Sequence, residues 1–115
     1  MFPDVGDVAW VELDPVLGTE QAGRRPGLIV TGTGYNIRAG RALVCPITRS
    51  RREWTFHVPL PPGLRVEGMI MVDQIRVVDR ARRIFDYIDT VPAEVMADVR
   101  GRLAGLVGLT SADIS

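Results

Sequence analysis

A small, curled, mostly antiparallel β-barrel finished by one C-terminal helix is the fold class this chain predicts: mainly β, α+β. Three observations carry it. Apolar runs of strand length recur between residues 7 and 91, breaks rich in Gly, Pro and charge separate them, and helical apolar spacing is sustained only after Pro92. A length of 115 residues suits one domain, residues 1–115, with one hydrophobic core.

Taken in order, "DVAWVEL" (7–13) alternates Val8 and Trp10 against Ala9, Val11 and Leu13, the period of a strand. "DPVLGTEQAGRRP" (14–26) is a thirteen-residue loop, a length that in small domains is often functional. "GLIVTGT" (27–33) and "RALVCPIT" (41–48) are the second and third strands. Between them "GYNIRAG" is a turn with room for one helical turn. "RSRREW" is a charged loop, "WTFHVPL" alternates again, and "PPGLRVEG" breaks the chain. "GMIMVDQIRVVD" (68–79) is the longest strand candidate. "DRARRI" offers a single helical turn and "FDYIDTV" a last short strand.

The helix opens at Pro92, with Glu94 complementing its positive end. Val95, Val99, Leu103, Leu106 and Val107 share one apolar face. Gly101, Gly105 and Gly108 weaken it by about 1 kcal/mol each relative to Ala, so packing must hold it, against the domain or a partner chain.

Charge is balanced in total and uneven in layout. Residues 1–20 hold five acids and no base, residues 21–83 hold twelve Arg against four acids, and residues 21–52 hold seven Arg and no acid. All 14 cations are Arg, whose planar guanidinium suits bidentate phosphate contacts, although genome base composition alone can replace Lys by Arg. A basic centre between acidic ends suggests a polyanion site. "MFPDVGD" does not read as a secretory leader and no apolar run is long enough to span a bilayer, so the cytoplasm is the expected compartment, with no membrane partner. The single cysteine, Cys45, excludes an internal disulfide.

Most catalytic constellations are missing from the pattern. There is one histidine, His57, and no Gly-x-Ser-x-Gly, Walker or dinucleotide motif, and nothing clusters Cys and His for zinc. No metal and no cofactor is expected. His57 reads as a surface or interface residue. Arg, Thr, Glu and Asp remain, and they suffice for RNA, whose 2′-hydroxyl is a nucleophile beside each phosphate. A protein need only align the attack and stabilise the charge.

The segments "GDVAWVELDPVLGTEQAGRRPGLIV", "YN", "CPIT", "FHVPL" and "VDQIRVVDR", in that order, closely resemble the MazF/PemK (Kid) family of bacterial toxin endoribonucleases over roughly residues 5–107. The resemblance implies an SH3-like barrel of the CcdB/PemK type with a C-terminal helix, working as a homodimer. It implies ribosome-independent, sequence-specific, metal-independent cutting of single-stranded mRNA to a 2′,3′-cyclic phosphate and a 5′-hydroxyl, which arrests growth. It also implies a MazE-like antitoxin with an acidic-hydrophobic segment, and operator DNA bound through the antitoxin complex.

By motif, the resemblance assigns catalysis to Arg25 of Glu-Gln-x-Gly-x-Arg-Pro and Thr48 of Pro-x-Thr, with the loop Glu20 orienting Arg25 or taking a proton. Arg25 is then expected at the end of the long loop, with its guanidinium on the scissile phosphate. Arginine stays protonated and is a poor base, so it is read as a charge stabiliser and proton donor. RNA contacts are assigned to Gln21, Arg24, Asn36, Arg49, Phe56, Asp73, Gln74 and Arg83, with Arg24 a solvated or phosphate-steering charge. In the PemK/Kid branch an arginine two places before Asp-Gln is the acid; Met71 stands there, and Thr19 replaces that branch's loop histidine. Both departures favour a centre on Arg25 and Thr48 and leave Asp73 and Gln74 to read base edges.

On the residues alone, Thr48 is equally a strand end, Phe56 a core aromatic, Asn36 a turn residue, and Arg49, Arg51 and Arg52 a solvated loop. Two other functions fit the same fold: a CcdB-like gyrase poison, and a barrel that binds RNA or antitoxin without cutting. The Arg-Pro and Pro-x-Thr pair and the closing "TSADIS", which lacks the gyrase poisons' Trp-Gly-Ile, favour the nuclease.

Overall fold

A computed structural model describes residues 2–13 and 23–109. Seven strands form one sheet: β1 (Asp7–Glu12), β2 (Arg24–Ile29), β3 (Arg41–Thr48), β4 (His57–Pro59), β5 (Met69–Met71), β6 (Arg76–Asp79) and β7 (Ile84–Thr90). Their order is β4-β5-β3-β2-β1-β7, and β6 pairs with β3. Every pairing is antiparallel. Helix α1 (Thr33–Ala39) connects β2 to β3, α2 (Arg80–Arg83) is one turn before β7, and α3 (Ala93–Leu106) follows β7.

The expected barrel with a C-terminal helix is the fold observed, and β3 is its centre. One edge of β3 takes β2, from Gly27↔Pro46 to Ile29↔Val44. The other edge takes β6 at Arg41–Val44 and then β5 at Ile47–Thr48. Irregular register between β1 and β7 on either side of Ala9 adds local twist, which helps a short sheet curl.

Both faces of the sheet are covered, which explains why its strands read as nearly continuous apolar runs. Val8, Leu28, Cys45, Ile47 and Ile70 pack on one side with Val95, Met96 and Val99 of α3. Ala9, Val11, Ile29, Val44, Val78 and Ile84 pack on the other. Burial, with a smaller push from the Asp73 carboxylate, raises the Cys45 thiol to about 12. No helix among the described residues is long and apolar enough to cross a membrane.

Several expectations are corrected. The second strand starts at Arg24 rather than Gly27 and ends at Ile29, so both arginines lie on a strand. "TGYNIRA" is a seven-residue helix, not a turn. The long candidate at 68–79 divides into β5, a 3₁₀ turn at Val72–Gln74 and β6. Leu106 and Val107 do not continue the buried face of α3; they are exposed.

Candidate functional site

The β1–β2 ladder pairs Val11 with Arg25 and Glu12 with Arg24, which fixes the backbone of both arginines. Across β2 and β3 the register runs Leu28↔Cys45, Gly27↔Pro46. The ladder ends at Gly27↔Pro46, and just beyond it β2 carries Arg25 and β3 carries Thr48. A side chain at Gly27 is excluded, because a Cβ would lie 2.6 Å from Val44 Cγ1 and 3.0 Å from Val11 Cγ2. The bare backbone there lets the arginine-bearing strand pass close over the core.

Arg25 and Thr48 line one groove of about 830 Å³. Arg24, Arg49, Arg51 and Arg65 line it too, with Trp10 and, among the described residues, a single carboxylate, Glu67. Among the described residues the salt bridges are Arg83–Glu12 at 3.8 Å and Arg102–Asp98 at 2.7 Å, and neither involves a groove arginine. Five guanidiniums on one concavity, none in a salt bridge among the described residues, form a site for a polyanion. Among the described residues no three of His, Cys, Asp and Glu gather to hold a metal ion.

Arg24 is exposed, and its guanidinium carbon lies 3.5 Å from the centroid of the Phe85 ring on β7, so one face of the cation is stacked while the rest stays in solvent. The Thr48 hydroxyl accepts from the Ser50 amide at 3.1 Å, and the Ser50 hydroxyl accepts from the Arg52 amide at 3.3 Å. These two bonds shape the turn that presents Arg49 and Arg51.

Asn36, expected among the RNA contacts, is fully buried. Its amide nitrogen donates to the carbonyls of Pro3 (2.8 Å) and Thr31 (2.9 Å), and its oxygen accepts from the Thr31 hydroxyl at 2.6 Å. It ties α1 to the N-terminal segment and cannot touch a ligand from there. Arg83 lies beside Glu12 rather than in the groove. Asp73 and Gln74 are exposed on the 3₁₀ turn, away from the lining that holds Arg25 and Thr48. Phe56 is half-buried against the core. Glu20 and Gln21 lie outside the described residues.

Sequence reasoning missed Trp54 and Arg102. The Trp54 indole donates to Asp73 Oδ2 at 3.0 Å, and its ring meets Phe56 edge-on at 5.7 Å. Arg102 of α3, held by Asp98, donates through Nη1 to the Thr55 carbonyl. The arginine-rich loop is thus fastened at its far end to the 3₁₀ turn and to α3. The period of "WTFHV" puts Trp54 and Phe56 on one face and was the available signal for Trp54; nothing local marked Arg102.

A family model described as PemK-like, MazF-like toxin of type II toxin–antitoxin system matches residues 4–107. The endoribonuclease toxin MazF of Escherichia coli K12 is 32% identical over 106 residues, covering 92% of this chain and 95% of that protein. The endoribonuclease PemK of Escherichia coli is 36% identical over 106 residues, covering 89% and 80%. The crystal structure of MazF from Deinococcus radiodurans superposes with a TM-score of 0.84 at 38% identity, over 95% of this chain and 99% of that one. A MazE–MazF structure from the same organism gives 0.81 at 32% identity, over 96% and 99%.

Proposed function

The chain belongs to the family of PemK-like, MazF-like toxins of type II toxin–antitoxin systems, and we propose that it is an endoribonuclease that cuts single-stranded RNA at specific sequences. The observation that carries this reading is the groove: five arginines that form no salt bridge among the described residues, with Thr48 in the same lining. Such a groove binds the RNA backbone through its phosphates.

The 2′-hydroxyl attacks the neighbouring phosphorus, the O2′–P bond forms, the P–O5′ bond breaks, and a 2′,3′-cyclic phosphate and a 5′-hydroxyl result. Arg25 stabilises the charge that develops on the phosphoryl oxygens, and the Thr48 hydroxyl orients one of them. Arg24, Arg49 and Arg51 hold flanking phosphates. The protein works as a homodimer in the cytoplasm. Its inhibitor is an antitoxin whose acidic, hydrophobic segment covers the same groove, and operator DNA is reached only through that complex. The structure of a MazE–MazF pair from Deinococcus radiodurans supports the antitoxin part.

Purified protein incubated with a long RNA, followed by mapping of both ends at each cut, tests the reading. Cutting should persist in excess EDTA and stop at a 2′-deoxy position. Activity abolished by EDTA and restored by magnesium, or cuts that leave 5′-phosphates, would refute it.

A further inference from the structure

We propose that Glu67 is the general base of the cleavage step, an inference that rests on the ribonuclease reading above. The attacking 2′-hydroxyl must lose its proton, and Arg25, being a permanent cation, is a poor acceptor. Among the described residues that line the groove with Arg25 and Thr48, Glu67 is the one carboxylate. Three other acceptors among the described residues are committed elsewhere. Asp73 takes the Trp54 indole, Glu12 lies beside Arg83, and the His57 ring faces the Arg52 carbonyl at 3.2 Å.

The backbone holds Glu67 in place from both sides. The Arg65 amide donates to Asp89 Oδ2 at 2.9 Å, and the next residue, Val66, is buried. On the other side Gly68 lies against the strand that carries Thr48: a Cβ there would come within 2.1 Å of the Thr48 carbonyl oxygen. Gly68 adopts a φ of +131°, which favours glycine, and its carbonyl accepts from the Leu60 amide at 3.0 Å. Met69 then pairs with Thr48. Glu67 thus emerges, exposed, from a pinned segment one residue before the chain touches the Thr48 backbone.

The groups that share the groove with it are Arg24, Arg25, Arg49, Arg51 and Arg65, and none forms a salt bridge with it. A carboxylate in a groove for phosphates opposes binding, so its presence there points to a task in the reaction. In that step the O2′ proton passes to a Glu67 oxygen as the O2′–P bond forms. The departing 5′-oxygen takes a proton from water, and Glu67 returns its proton to the hydroxide left behind.

The test is E67Q in the full chain, assayed in single turnover at saturating enzyme, with affinity measured on a 2′-deoxy analogue that cannot be cut. Losing a general base should slow cleavage by about 10²–10⁴-fold. Removing a negative charge should leave RNA binding equal or tighter. Formate should restore part of the rate to E67A. Folded E67Q that cuts at the parental rate overturns the proposal. So does a rate loss matched by lost affinity and not rescued by formate, which would assign Glu67 to binding. A parent protein that leaves RNA whole overturns the ribonuclease reading itself.

Discussion

The Arg24 guanidinium lies over the Phe85 ring, 3.5 Å from its centroid, across the β1–β2–β7 corner of the sheet. Stacking covers a face of the cation and leaves its in-plane N–H groups for a phosphate. At a partly exposed site it is worth about 0.5–1 kcal/mol. F85L should therefore weaken RNA binding by roughly two- to five-fold. The effect should vanish in an R24A background, read as a double-mutant cycle on dissociation constants. Equal effects in both backgrounds would show that Phe85 serves the fold alone.

Arg25 and Arg24 are neighbours with different expected costs. R25A should lower the single-turnover rate by about 10²–10³-fold, as loss of a preorganised transition-state contact does. R25K should rescue little, because an ammonium cannot reproduce the planar fork. T48A should be milder than R25A. R24A should act on affinity, reduce the salt slope of binding by about one, and recover at low salt. Parental rates from a folded R25A would displace the site from this groove.

Asn36 should matter to stability and not to RNA. N36A removes the bonds to the Thr31 carbonyl and hydroxyl and leaves the Pro3 carbonyl with only the Thr33 hydroxyl at 3.3 Å, at about 1–3 kcal/mol for each group left unsatisfied. Urea denaturation should report that loss while the dissociation constant for RNA stays put. A weakened dissociation constant with unchanged stability would restore Asn36 to the RNA surface.

Asp89 couples acid stability to the groove rim. Its carboxylate accepts first from the Arg65 amide and then from the Thr90 amide, which holds it below its ordinary 3.8. The folded state therefore binds this proton less readily than the unfolded chain. The contribution is complete above about pH 4 and is lost as pH falls through the lower, folded value. The stability gap between the parent and D89A, from urea midpoints, should be widest near neutral pH and close in acid. A gap that ignores pH would contradict the assignment.

Local pattern was enough for β3, where "RALVCPIT" is the strand observed, and for α3, whose start follows Pro92. It failed where distant partners decide. Asn36 suits a turn by local preference, yet its fate is set by a carbonyl 33 residues away. The apolar run through Met71 and Val77 hides the 3₁₀ turn at Asp73 and Gln74, because apolar content does not report a change in backbone direction. For the site, the Arg-Pro and Pro-x-Thr motifs gave Arg25 and Thr48 by resemblance, while the groove that both line follows from the sheet. Glu67 sits in "PPGLRVEG", a run that reads only as a chain break until Gly68 is seen against Thr48.

The buried Cys45 leaves thiol chemistry open to the experimenter. With its sulfhydryl inside the core and pushed up to about 12, the folded molecule offers almost no thiolate to a maleimide at neutral pH. A second cysteine placed on the exposed Arg52, beside groove-lining Arg51, would take the label alone. A fluorophore there would sit on the groove rim, and a quencher on an RNA or on a competing peptide could be followed in real time. Uptake of reagent by the parent chain would meanwhile count molecules that have opened their core.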